Sequence, residues 1–191
     1  MDWKSVFGSA AAVLAVSAHL VYIFGILRRD SKPKPVTWGI WGLTDWALLA
    51  SLTASGATDI SKMQFAFALG NTTVAVLSLA KGEFRFTRLN AVCLALSGLA
   101  ITALLVLRNP EVAILIGLSS KAVGFFPTGV KLWYKESREF LPAWLLWTTA
   151  NLLNLCAVKE YWSVHALIPM QYSAQCLLVL WLNSKIPKPR S

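Results

Sequence analysis

Apolar positions along the chain gather into seven long runs, separated by brief polar interruptions. The runs cover about 3–27, 36–56, 63–80, 89–107, 112–133, 143–158 and 161–182, and the polar breaks read RRDSKPKP, ATDIS, KGEFRFTR, RNPE, YKESREFL and KE. Most runs approach the roughly 20 residues needed to cross a hydrocarbon core about 30 Å thick. The sixth is shorter and opens after Pro142, a residue well suited to the first turn of a helix. In lipid only helices and closed barrels satisfy every backbone polar group. The pattern therefore predicts an all-α membrane protein with seven transmembrane helices, a single membrane domain over 1–191, and the lipid bilayer as its first partner. The opening run is expected to be a retained span rather than a secretory signal, although AVSA resembles a cleavage site. Its apolar stretch exceeds a signal core of about 7–15 residues, and Asp2 stands beside Lys4 in its flank.

Composition points the same way. Hydrophobic residues make up 56% of the chain and charged residues 14%, with mean hydropathy +0.57. A soluble domain is nearer about 45–50% apolar and about 25% charged. The net charge of +9 is spread over several loops with no nucleic-acid-binding motif, so no nucleic acid partner is expected. In a membrane protein such charge marks the cytoplasmic side. Twelve basic residues fall on one face: Arg28, Arg29, Lys32 and Lys34, then Lys81, Arg85 and Arg88, then Lys135 and Arg138, then Lys185, Lys188 and Arg190. Four fall on the other, namely Lys4, Lys62, Arg108 and Lys159. This predicts an integral multi-pass protein with the N-terminus outside or lumenal and the C-terminus cytoplasmic. A bacterial inner membrane is favoured over an organelle.

The chain repeats itself at a shift of 106 residues. Arg29, Asp30 and Ser31 fall on Lys135, Glu136 and Ser137; Trp38, Trp41 and Asp45 fall on Trp144, Trp147 and Asn151. One inserted residue later, MQFA at Met63 meets MQYS at Met170, which pairs Gln64 with Gln171. The unit is a triple helix, with repeat one over about 3–82, a linker helix over about 88–108, repeat two over about 111–184 and a short basic tail over 185–191. The odd linker helix restores the chain direction, so two parallel repeats are expected about an axis along the membrane normal, as in one class of transporters.

The stretch PTGVKLWYKES, residues 127–137, carries a proline at Pro127, a base four later at Lys131, an aromatic six later at Trp133 and a serine ten later at Ser137. It resembles the PQ-loop signature, with Thr128 in place of the glutamine. The first copy keeps Arg29 and Ser31 but has Val21 where the proline belongs. With the three-one-three plan, the chain resembles the PQ-loop and SWEET superfamily over nearly its whole length. That resemblance implies a transport-type fold without choosing a ligand; the expected function is a membrane carrier for a small polar solute, such as a sugar or amino acid, working by alternating access, with or without proton coupling. The same superfamily contains the KDEL receptor, so a non-transporting receptor or sensor on the same scaffold is the alternative.

Candidate site residues follow from spacing. Positions i, i+3 and i+7 share a helix face, which aligns Trp41 with Asp45 and Trp147 with Asn151. Gln64, Gln171 and Asn71 add amides, which pair with flat indoles to suit a solute having polar edges and apolar faces. Bland roles stand beside these: the outer indoles Trp38 and Trp144 as interfacial anchors, the amides as helix glue, and Lys131 as a base reaching to the surface. Asp45 and Lys121 lie mid-helix, where a charge costs roughly 2.5–3.5 kcal/mol. They read either as a structural ion pair or as a protonatable Asp45 that couples solute movement to protons, assisted by His19 or His165. Cys93, Cys156 and Cys176 show no metal or disulfide spacing, and no cofactor is implied. No phosphate loop and no nucleophile–base set occurs, so an enzyme is not expected. A retinal protein is disfavoured, because the last run holds no lysine before Lys185. Homo-oligomer formation stays open.

Overall fold

The computed structural model describes residues 2–81, 87–107, 109–136 and 138–186. Arg85, Arg108, Ser137, Lys188 and Arg190 lie outside that set. The described residues form seven helices and no strand: α1 (Trp3–Leu27), α2 (Pro35–Ala54), α3 (Thr58–Lys81), α4 (Arg88–Leu107), α5 (Pro110–Trp133), α6 (Leu141–Cys156) and α7 (Val164–Ser184). Three of them, α1, α3 and α5, are long and apolar enough to cross a membrane. The shortest, α6, has 16 residues. The residues that lower the hydropathy of α2 and α6 are largely indoles, amides and Asp45, and most of these point inward.

The helix boundaries have local causes. Asp2 caps α1 by accepting from the Lys4 backbone N–H, and Asn109 caps α5 by accepting from the Glu111 and Val112 N–H groups. Pro35 opens α2 after Lys34 in extended conformation, and Pro142 sits in the first turn of α6 after an extended Phe140. Helix α3 begins five residues before its expected apolar run, with Asp59 in the first turn, where a carboxylate suits the helix dipole.

The two basic loops close α1 and α5 with one geometry. Arg29 and Lys135 take left-handed backbone conformations, φ 65° and 58°. The Asp30 N–H donates to Gly25 O at 2.8 Å, and the Glu136 N–H to Lys131 O at 3.0 Å. The Arg29 N–H donates to Ile26 O, and the Lys135 N–H to Leu132 O. Both ends are Schellman motifs built on a residue other than glycine, at a cost of roughly 1–2 kcal/mol each. The ends of α1 and α5, the starts of α2 and α6, and the starts of α3 and α7 are each separated by 106 residues.

In packing, α3 lies against both α1 and α2, and α7 against both α5 and α6. Helix α1 packs on α6, and α2 on α5, while α4 packs mainly on α5. Exchanging α1, α2 and α3 for α5, α6 and α7 maps these contacts onto themselves. Small residues permit the close approaches. Ala11, Ala15 and Ala18 of α1 are fully buried. Gly70 of α3 faces the His19 ring, and Gly117 and Gly124 of α5 receive Leu48 and Ile40 of α2. The α1–α2 and α5–α6 loops and the end of α7 gather at one end of the bundle, here the basic end. The start of α1 and the α2–α3 and α6–α7 turns gather at the other.

Candidate functional site

Helices α2 and α6 present their aromatic stripes to one another. Trp38 and Trp41 meet at 5.3 Å between ring centroids, and Trp144 and Trp147 at 5.2 Å. Across the stripes, Trp38 meets Trp147 at 5.7 Å and Trp41 meets Trp144 at 6.4 Å. These cross pairs are equivalents under the 106-residue shift. All four indoles are buried, so Trp38 and Trp144, expected as interfacial anchors, instead belong to the interior wall. With Phe67, Tyr172, Asn71, Asn151, Lys121, Gln175 and Cys176 they line a cavity of about 20 Å³, room for about one water.

Beside this cavity Asp45 is fully buried and accepts four hydrogen bonds from side chains. Lys121 Nζ donates to Oδ1 at 2.6 Å, Tyr172 Oη at 2.7 Å and Gln64 Nε2 at 2.6 Å. Asn71 Nδ2 donates to Oδ2 at 2.5 Å. The structure brings Asp45 and Lys121 together as an ion pair, each charge almost wholly out of solvent. The Lys121 ammonium also sits 3.9 Å from the Tyr172 ring centroid and 5.5 Å from those of Trp41 and Phe67, a favourable cation–π setting. A buried pair survives only where further hydrogen bonds complete it, and Gln64, Asn71 and Tyr172 supply them.

The network continues across the bundle. Asn71 Oδ1 lies 2.9 Å from His19 Nε2, while His19 Nδ1 lies 2.7 Å from Ala15 O and 3.3 Å from the Trp147 indole nitrogen. Trp41 donates to Lys121 O at 3.1 Å. Trp41 is thus tethered to α5 at Lys121, and Trp147 meets α1 at His19. Asn151 donates from Nδ2 to Trp147 O at 2.8 Å, and its Oδ1 has no partner although the residue is fully buried.

Of the sequence-selected residues, Trp41, Trp147, Asn151, Asn71 and Lys121 line the cavity, and Asp45 and Gln64 stand immediately behind it. Gln171 does not join them. It is half-buried and donates to Leu118 O at 2.9 Å, gluing α7 to α5. His165 lies apart, bonded to Ser55. The expectation that Lys131 reaches the surface is overturned: it is buried, paired with Glu139, and donates to Lys32 O at 3.2 Å. The loop carboxylate that captures it is the reason.

Sequence reasoning missed Tyr172, Tyr22 and Glu139. Tyr172 follows Gln171 by one residue, and no periodicity separated the two. Glu139 reads as a solvated loop acid, yet it is buried and accepts from Tyr22 Oη at 2.6 Å, Ser31 Oγ at 3.3 Å and the Trp144 indole at 3.4 Å. At the opposite end the α2–α3 and α6–α7 turns border a cavity of about 220 Å³ that includes Ser55, Asp59, Lys159 and His165. Lys159 and Asp59 pair there at 3.5 Å with Lys159 largely exposed. No family model, curated protein or solved structure gives a significant match to this chain.

Proposed function

We propose that the protein is a seven-span membrane carrier for a small polar solute, built from two parallel triple-helix repeats with α4 as linker, in the manner of the PQ-loop and SWEET superfamily. The observation that carries this is the indole- and amide-lined cavity where α1–α3 meet α5–α7, with Asn151 Oδ1 left unpartnered in it. A buried acceptor without a donor is costly and marks where a solute hydroxyl or N–H would bind. Equivalent helix ends, matching Schellman loops and self-mapping contacts support the repeat. A void of about 20 Å³ is too small for such a solute, so its entry requires the walls of the cavity to move apart.

The test is uptake into liposomes, guided by a thermal-shift panel of sugars, amino acids and vitamins on purified protein, since a ligand that binds the fold stabilises it by mass action. A hit is expected to be transported, and Asn151→Leu or Trp147→Ala to weaken both binding and uptake by about tenfold or more, the loss of one buried polar or stacking contact. The second reading, a receptor or sensor, draws on the bonds that hold Asp45 to both halves. It predicts the same stabilisation with no uptake.

A further inference from the structure

We propose that Glu139 is the latch that closes the basic end of the bundle, and that its release opens the central cavity toward that end. The inference rests on the carrier reading and adds the residue that gates it. Glu139 sits in the α5–α6 loop yet is 4% exposed. Its carboxylate joins both halves. From the first half it accepts Tyr22 Oη of α1 at 2.6 Å and Ser31 Oγ of the α1–α2 loop at 3.3 Å. From the second it holds Lys131 of α5 and accepts the Trp144 indole of α6. Its own backbone is fixed by Asn183 of α7, which receives the Glu139 N–H at 3.1 Å and donates to Glu139 O at 2.9 Å. Lys131 also bonds the Lys32 carbonyl, a second tie across the halves.

The two ends of the bundle are unequal in this respect. At the basic end these ties run through buried groups. At the opposite end the bridging groups, Lys159 with Asp59 and Ser55 with His165, border a cavity of about 220 Å³, and Lys159 is largely in solvent. Exposed pairs contribute little, whereas a buried carboxylate with several donors holds firmly. Tyr22 links latch to cavity: its ring packs on Trp38 at 4.8 Å and on Trp147 at 5.3 Å. Freeing its hydroxyl therefore loosens the aromatic wall directly above the site.

Cys176 provides the readout, because it lines the central cavity and is buried. In a Cys93→Ser/Cys156→Ser background, a membrane-impermeant maleimide is applied to sealed vesicles of each orientation. Tyr22→Phe and the charge-matched Glu139→Ala/Lys131→Met are each expected to raise Cys176 labelling from the basic end by about tenfold, the effect of losing one or two charge-assisted bonds on a minor open population. Labelling from the other end should stay level or fall. No rise from the basic end in folded Tyr22→Phe protein, or an equal rise from both ends, overturns the latch. Misfolding of the double variant would leave this test intact, since Tyr22→Phe removes a single oxygen and decides the matter alone. Failure of the carrier reading would show separately, as a labelling response in a protein that moves no solute.

Discussion

Asp45 shows how one residue is fixed by its surroundings. Its repeat counterpart is the amide Asn151, and the counterpart of Lys121 is Ala15. The α2–α5 interface therefore holds a charge pair, where the equivalent α6–α1 interface holds Asn151, His19 and Trp147. Four side-chain donors on one carboxylate, one of them an ammonium, hold Asp45 in a single arrangement. Removing one member of a buried pair leaves the other charge uncompensated, which costs about 3–5 kcal/mol. Asp45→Asn should lose about that much stability, read by thermal or chemical unfolding in detergent. Adding Lys121→Met to it should restore most of the loss. A single variant as stable as the parent would mean that Lys121 finds compensation elsewhere.

At the scale of the element, close helix approach is what turns aromatic stripes into a wall. A Cβ on Gly8 of α1 would run into the Asp59 carbonyl of α3, which is backbone and cannot rotate away. Gly8→Ala should therefore push α1 off α3 and cost about 1–3 kcal/mol, seen as a lower unfolding midpoint. Gly70→Ala should meet the His19 ring instead and break its contact with Asn71, weakening the network at a similar cost. The helices themselves were legible from apolar runs, because burial in lipid or protein selects the same residue types. Their ends were less so: α3 starts at Thr58 and α7 at Val164, set by turn geometry rather than by apolarity. The Trp and Asp45 stripes were legible from helical spacing, and Gln64 from the repeat. Gln171 misled because repeat register fixes a backbone position and not a side chain's partner. Glu139 and Tyr22 were invisible because they lie 117 residues apart in sequence, on elements that only the packed bundle brings together.

For the whole molecule, the self-mapping contacts group α1–α3 and α5–α7 into two sets of helices that meet along α1–α6 and α2–α5. Motion that keeps each unit intact must pivot near the mid-bundle ties, Lys121 to Asp45 and Trp147 to His19, and must open either end as it closes the other. In the structure the basic end is closed by buried bonds, and the opposite end carries the larger cavity. A carrier must reverse this arrangement in every cycle; a receptor need not. Ser55 and His165 touch at 3.0 Å across the opposite end, one on the α2–α3 turn and one on α7. Replacing both with cysteine and bridging them with a short bifunctional thiol reagent would tether the units there without occupying the central cavity. For a carrier, the bridge should abolish uptake while thermal stabilisation by the same solute persists, and a reducible bridge should restore uptake on reduction. Uptake that continues at the parent rate through a fully formed bridge would show that the two units do not rock about the pivot, and that the solute follows another route.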